Sequence, residues 1–407
     1  MELTLLGTGG PRGLPVPGCP CAACARSVGD QARAATSVLV DGVLLIDLSS
    51  GLPLAAARSG RSLAGVRQVL LSHPHDGPAL EIPAGLPRPA RLPDGDEVAL
   101  PTGHRVRAVP LDAPGTGYEV TAPGGERLLY LPPGSGPAGL EPAPSGLGPP
   151  AGPAPYELVL LDALGRPDAL ARLRAAGAAG PAGGPTDVVA VHLDHSVPPG
   201  AEQRRRLATL GARPVPDGTA LTAGDYREVP DTPRRTLVLG GARSGKSAEA
   251  ERRLAAFPGV VYVATGGTRD GDPEWTRRLT AHRERRPAVW QTAETCDLVP
   301  LLARADDGRA LLIDCLGLWL THIMDTAGAW EGDGFTAVHD QVAELAAAWR
   351  DTRRTVVAVS NEVGSGVVPA TASGRRFRDE LGRLNAAVAA ESEHVLLVVA
   401  GQALPLR

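Results

Sequence analysis

Short apolar runs separated by Gly, Pro and Asp fill the first half of the chain. Leu3–Leu6, Ser37–Val40, Val43–Ile46, Val69–Leu71, Val106–Val109, Leu128–Leu131, Leu158–Leu161 and Val188–Val191 have strand length and turn signals on their flanks. This pattern predicts many strands with a few helices. In the second half, strand candidates Thr236–Leu239, Val260–Val263, Ala310–Ile313, Thr355–Val359 and Val395–Val399 alternate with helical stretches. The helical candidates are Ser247–Ala256, Glu274–Arg285, Ala337–Trp349 and Phe377–Ala390. Near-continuous apolar strands alternating with helices predict an α/β fold with a parallel sheet covered on both faces, an architecture suited to binding nucleotides.

Composition divides the chain. Gly (50) and Pro (39) are concentrated rather than spread, most densely from Pro132 to Pro155, which reads as a long loop. The short charged stretch from Tyr226 to Arg235 contains two prolines and reads as an interdomain linker. The expected organisation is a domain over residues 1–225, a linker over 226–234 and a second domain over 235–407. No run approaches the roughly 18 apolar residues of a membrane span. The first residues form a strand-like stretch without a basic leader, so a cytoplasmic protein is expected. A net charge of −4 with 3% aromatic residues argues against a nucleic-acid surface. Five cysteines in 407 residues suggest ligands or core thiols rather than a disulfide framework.

The sharpest signal is Gly240-Gly241-Ala242-Arg243-Ser244-Gly245-Lys246-Ser247, which fits G-x-x-x-x-G-K-[ST] between a predicted strand and a predicted helix. Backbone N–H groups of such a turn curl around phosphate oxygens, and the helix amino terminus favours the anion. Lys246 would neutralise the β- and γ-phosphates and Ser247 would hold Mg²⁺. Lys246 is the single lysine among 41 Lys and Arg, so its ammonium is kept where arginine serves everywhere else. Asp314 follows the strand Ala310–Ile313 and is the candidate second metal ligand. Glu362 also lies beyond a strand's carboxyl end, where ligands of open α/β sheets bind; an ordinary loop glutamate is the alternative.

With its flanks, this stretch resembles the bifunctional adenosylcobinamide kinase/adenosylcobinamide-phosphate guanylyltransferases. The similarity runs through Tyr262-Val263-Ala264-Thr265, His282-Arg283, Arg286-Pro287, Trp290, Thr292 and Glu294. It continues through Asp314-Cys315-Leu316, Asn361-Glu362-Val363-Gly364, Gly366-Val367-Val368-Pro369, Phe377-Arg378-Asp379 and Val398-Val399-Ala400-Gly401. The resemblance implies two reactions. The γ-phosphoryl group of ATP or GTP passes to adenosylcobinamide, and GMP from GTP then passes to the resulting phosphate through a GMP–histidine intermediate. His282 matches the nucleophile, with Ala281 where some members carry a second histidine. A neutral imidazole is a good nucleophile near pH 7, and a covalent intermediate splits a hard transfer in two. Arg283, Arg285 and Arg286, with Glu284 among them, would surround the α-phosphate and pyrophosphate. Glu294 and Asp314 carry over as nucleotide or metal contacts, and Thr265, Gly266 and Gly267 as part of the guanine-nucleotide site. Family members form homo-oligomers. A kinase that lacks the guanylyl step, and an NTP-binding regulator behind a metal-dependent hydrolase, stay open as alternatives.

In the first half, Gly18-Cys19-Pro20-Cys21-Ala22-Ala23-Cys24 puts three thiolates on a compact turn, one ligand short of a tetrahedral Zn²⁺ site. With Leu5-Leu6-Gly7-Thr8-Gly9-Gly10 ahead of it, the segment resembles the metallo-β-lactamase-fold phosphodiesterases of phosphonate metabolism. That resemblance implies an αβ/βα fold and a structural zinc on Cys19, Cys21, Cys24 and His195. It also implies a separate two-metal site using His73, His75 and His192. The two-metal site is damaged: Asp76 comes one residue early and Gly77-Pro78 replaces Asp-His. Ala113 stands for a histidine and Pro133 for the bridging aspartate. The domain is therefore expected to be catalytically degenerate, with a mononuclear three-histidine site as the dissenting reading. His104 and Asp112 read as surface groups.

Overall fold

The computed structural model describes residues 1–73, 82–140, 155–180, 184–226, 233–266, 286–305, 307–331 and 334–407. They form two compact units, Met1–Thr232 and Pro233–Arg407. The candidates His75, Asp76, Gly77, Pro78, Gly267, His282, Arg283, Glu284 and Arg285, and all of the helical candidate Glu274–Arg285, lie outside the described residues. Among the described residues, no helix is long and apolar enough to cross a membrane.

The first unit holds two sheets. One comprises β1 (Glu2–Gly7), β2 (Ser37–Val40), β3 (Leu44–Ile46) and β4 (Gln68–Leu70). The other comprises β5 (Glu97–Ala99), β6 (Arg105–Val109), β7 (Gly117–Thr121), β8 (Arg127–Tyr130), β9 (Leu158–Leu161), β10 (Asp187–Ala190) and β11 (Arg213–Pro214). The strand β12 (Ala220–Thr222) returns to the first sheet, giving the orders β12-β1-β2-β3-β4 and β11-β10-β9-β8-β7-β6-β5. Successive strand side chains point to opposite faces. Leu3, Leu5, Val38, Val40 and Ile46 therefore share one core with Val106, Tyr118, Leu128, Leu158 and Val189 of the second sheet. The alternate residues Leu6, Leu39, Leu45 and Val69 pack with Leu52 and Ala56 of a helix on the outer face.

The helices of this unit are α1 (Ala22–Arg26), α2 (Leu52–Arg58), α3 (Pro167–Ala175) and α4 (Ala201–Thr209). α2 covers the first sheet and α4 packs on β11. Ala169, Leu170 and Leu173 of α3 are buried. The result is a layered helix–sheet–sheet–helix sandwich. α2, α3 and α4 are too short and too rich in Ala and Arg to show a clear helical period, which is why the sequence pattern underweights them.

The second unit is one seven-stranded sheet. Its strands are β13 (Arg235–Gly240), β14 (Val260–Ala264), β15 (Gln291–Glu294), β16 (Ala310–Asp314), β17 (Val356–Asn361), β18 (His394–Val399) and β19 (Gln402–Pro405). The order is β15-β14-β16-β17-β13-β18-β19, parallel throughout except for β19 against β18. Among the described residues its helices are α5 (Lys246–Leu254), α6 (Leu298–Ala303), α7 (Leu316–Thr326), α8 (Phe335–Asp351) and α9 (Ala372–Ala390). Leu237, Leu311 and Ile313 join the core made with α6 to α9, whereas Val238, Ala310 and Leu312 join the core on the α5 side. Burial on both faces explains the unbroken apolar strands.

Candidate active site

β13 is the strand that delivers the phosphate loop, and Gly240 is its last residue. A side chain there would meet Val398 O at 2.7 Å and Ser244 Oγ at 2.4 Å. Gly245 caps α5 with φ +98, and a Cβ on it would sit 3.3 Å from Gly401 Cα. Arg243 also lies in the left-handed region, φ 57. These positions fold the loop back so that Ser244 N donates to Gly241 O at 3.3 Å and Gly401 N donates to Ser244 O at 2.8 Å. Lys246 opens α5, and its Nζ donates to Gly241 O at 3.1 Å, across the loop mouth. Ser247 follows on the first helical turn, at the positive end of the helix dipole.

Asp314 ends β16, two strands from β13, roughly 10 Å by ordinary strand spacing. Its Oδ2 accepts a hydrogen bond from the Tyr262 hydroxyl of β14. Burial, then the adjacent carboxylate, push the Tyr262 phenol well above its usual value, so it stays a donor. The Arg286 guanidinium stacks on the Tyr262 ring, 3.3 Å from its centroid. Thr265, just past β14, donates from Oγ1 to Cys315 O at 2.7 Å and accepts from Cys315 N at 2.9 Å. Glu294 ends β15 opposite Ala264. With Thr265, Gly266, Asp297, His322 and Gln341 it lines a cavity of about 810 Å³. Glu362 N donates to Gly240 O at 3.1 Å, and the Glu362 carboxylate caps the following turn through Gly364 N at 2.7 Å. The structure therefore gathers Lys246, Asp314 and Glu362 at the carboxyl ends of neighbouring strands, with Arg286, ahead of β15, stacked on the tyrosine that holds Asp314. Tyr262 belongs to the motif set, but sequence reasoning gave it no role.

The first unit has its own cluster. His195 Nδ1 lies 3.3, 3.6 and 3.4 Å from the sulfurs of Cys19, Cys21 and Cys24. Among the described residues it is the one set of His, Cys, Asp and Glu side chains close enough to hold a metal ion. Tetrahedral Zn–S and Zn–N bonds put sulfur and nitrogen about 3.5 Å apart, so the spacing fits a Cys₃His site. The Cys24 backbone N–H holds the Cys21 thiol down to about 6, which favours the ligating thiolate.

The histidines of the second metal site are arranged differently. His73 Nδ1 faces Ser72 Oγ at 2.9 Å and the buried Asp47 carboxylate at 3.5 Å. Asp47 also accepts from Ser72 N, Ser72 Oγ and the Tyr130 hydroxyl. His192 is fully enclosed, its Nε2 is 3.1 Å from Leu131 O, and burial pushes its pKa down to about 3. The His192 ring that the resemblance assigns to a catalytic metal thus has its Nε2 engaged by a backbone carbonyl. His104 is not a surface group. It is buried, with Nε2 2.8 Å from Asp41 and Nδ1 2.9 Å from Thr102. Asp112 is paired with Arg166 and Arg172. Sequence reasoning missed Asp47, although it ends a strand-like run (Leu44-Leu45-Ile46-Asp47) just as Asp314 does.

A glycine-built phosphate turn at the end of a central parallel strand, with a carboxylate two strands away, defines the second unit as a P-loop nucleotide-binding domain. Residues 236–406 match the family "Cobinamide kinase / cobinamide phosphate guanyltransferase". The bifunctional adenosylcobalamin biosynthesis protein CobP of Pseudomonas aeruginosa is 44% identical over 178 residues, 42% of this chain and 97% of the relative. CobU of Salmonella typhimurium is 38% identical over 174 residues, 40% of this chain and 95% of the relative. CobU of Escherichia coli is 36% identical over the same length and shares. The chain belongs to this family of bifunctional cobinamide kinases and cobinamide-phosphate guanylyltransferases of adenosylcobalamin biosynthesis.

The first unit is similar to a diphosphatase of the PhnP family, with 19% identity, a TM-score of 0.39, 54% of this chain and 97% of that one. It is also similar to Zn(2+)-bound PqqB of Methylobacterium extorquens, with 17% identity, a TM-score of 0.37, 55% of this chain and 100% of that one.

Proposed function

We propose that both reactions run at the carboxyl edge of the β13–β17–β16–β14 sheet, with His282 as the guanylyl-accepting nucleophile. In the kinase step the loop from Gly240 to Ser247 holds the triphosphate of ATP or GTP. Lys246 offsets charge on the β- and γ-phosphates while the corrinoid hydroxyl attacks the γ-phosphorus; the β–γ P–O bond breaks, the nucleoside diphosphate leaves and the hydroxyl proton passes to solvent. In the second step the His282 imidazole attacks the α-phosphorus of GTP and pyrophosphate leaves. An oxygen of the corrinoid phosphate then attacks the histidine-bound phosphorus and frees the imidazole. Ser247 and Asp314 would hold Mg²⁺, which supplies neutralisation of phosphate charge when bound. Arg286, with Arg283 and Arg285, would stabilise the α-phosphate and leaving pyrophosphate, and Thr265, Gly266, Gly267, Glu284 and Glu294 would border the guanosine.

The observation that carries this reading is the chain Arg286–Tyr262–Asp314. It fixes the end of the histidine-bearing segment beside the proposed metal ligand. Four peptide bonds join His282 to Arg286, a tether of at most about 15 Å. The test is GTP labelled at its α-phosphate, incubated with protein and Mg²⁺ without acceptor. Acid-labile, alkali-stable label is expected on the chain, absent in His282→Ala and discharged by cobinamide phosphate. No label in the wild type, with GTP still bound, would leave a kinase without the guanylyl step.

For residues 1–225, ahead of a linker over 226–234, the reading is a catalytically degenerate domain with Zn²⁺ held by Cys19, Cys21, Cys24 and His195. The metal there contributes folding free energy rather than chemistry. About one zinc equivalent per chain is expected in elemental analysis, lost in Cys21→Ser.

A further inference from the structure

Strand β17 leads into residues 363–371, which run to the start of α9. The segment is anchored at both ends. On one side Glu362 N donates to Gly240 O, and Glu362 Oε1 accepts from Gly364 N and Ser365 N. On the other, Thr371 Oγ1 accepts from Gly374 N, and Arg375 Nη1 donates to the carbonyls of Pro369 and Ala370. Between these anchors Val367 is 95% exposed and Val368 57%, and Val367 is the most exposed large apolar side chain among the described residues. Held at both ends, the two adjacent valines form a fixed apolar step rather than the tip of a slack loop.

We propose that Val367 and Val368 form an apolar rest for the corrin macrocycle of the acceptor, setting the affinity for cobinamide. The proposal rests on the kinase reading of the same site. Three observations select this occupant. First, the acceptor hydroxyl must meet the γ-phosphate at the loop from Gly241 to Ser247, and β17 pairs with β13 so that Asn361 lies opposite Gly240. The valine loop therefore rises on the strand next to the transferred group. Second, the opposite flank of the phosphate loop is closed by Gly401, whose N–H donates to Ser244 O at 2.8 Å. Third, residues 363–374 contain no ionisable side chain, so the loop suits an apolar ring edge with amide arms, not a second polyanionic nucleotide.

The experiment is steady-state kinase assay of the full chain with cobinamide and ATP or GTP. It compares the wild type, the double variant Val367→Ser/Val368→Ser and the conservative Val367→Leu. The double variant is expected to raise the KM for cobinamide about tenfold, the range lost with apolar contacts of this size. Its saturating rate and nucleotide KM should stay near wild type, and Val367→Leu should keep wild-type KM. An unchanged cobinamide KM beside an active wild type would overturn the loop's role while leaving the kinase reading intact. A rise confined to nucleotide KM would also overturn it. So would a change in sedimentation at matched protein concentration, which would make the valines a contact between copies. A wild type that binds nucleotide but phosphorylates no cobinamide would remove both readings.

Discussion

Tyr262→Phe removes one hydroxyl from a buried ring and leaves its packing and the Arg286 stack in place. The Asp314 carboxylate then loses the donor that fixes Oδ2. A hydrogen bond to a charged acceptor contributes about 1.5–3 kcal/mol, so the variant should need roughly tenfold more Mg²⁺ for half-maximal kinase rate. Its maximal rate at saturating Mg²⁺ should fall less, and a Mg²⁺ titration of both enzymes checks this. His192 makes a second residue-level prediction, through pH. Burial depresses its pKa to about 3, against the opposing pull of the Asp47 charge, and His73 also faces it. The folded state keeps the ring neutral while the unfolded chain takes up a proton near pH 6.5. This contribution to stability is complete above pH 6.5 and is lost as pH falls toward 3. The first unit's melting temperature should decline over that window, and less steeply in His192→Gln, in thermal melts from pH 7 to 4. Lys246 was legible because its motif is local. Asp47 was not, since its partners Ser72 and Tyr130 lie 25 and 83 residues away and only the fold gathers them.

At the scale of elements, the turn between β13 and α5 tolerates no side chain at two points. Gly245→Ala forces φ +98 on a residue with a Cβ and presses it toward Gly401. Strain of this kind costs of order 1–3 kcal/mol. Nucleotide affinity should fall at least tenfold, because the backbone donors of the loop are displaced; isothermal titration with GTP measures it. The mirror control is Gly241→Ala, where nothing lies within 4 Å of an added Cβ. That variant should unfold at nearly the wild-type temperature. Strands were the most legible elements, since burial on both faces writes them as unbroken runs such as Ala310–Ile313. The edge strands of the P-loop sheet escaped this signal. β15 reads Gln-Thr-Ala-Glu because a sheet's edge leaves its side chains in solvent. α7 was hidden for the opposite reason. Leu316, Trp319, Leu320, Ile323 and Met324 are spaced for one buried helical face, but Leu318 fills a gap between them and blurs the period.

Among the described residues, each unit has apolar cores drawn from its own side chains, on the two faces of the first sheet in one unit and of the P-loop sheet in the other. The division into two chemistries was readable because the cysteine cluster and the phosphate loop stand more than 200 residues apart on opposite sides of a composition break. The closure of the cysteine cluster was less accessible. It needs His195, 171 residues beyond Cys24, to return to the turn after β1, and the bridge of Gly9 to Leu193 brings it there. A ligand that binds only the folded form raises stability in proportion to the logarithm of its concentration over Kd, at the unit that binds it. Calorimetry of the full chain should therefore show two transitions with separate dependences. Chelator, or Cys21→Ser, should lower the transition of the unit with the Cys₃His cluster by more than 5 °C, since a few kcal/mol of metal-linked stability moves a domain of this size by about that much or more. GTP with Mg²⁺ should raise the other transition and leave the first where it was. A single transition moved equally by chelator and by GTP would show that the first unit's sandwich and the P-loop sheet unfold as one cooperative body.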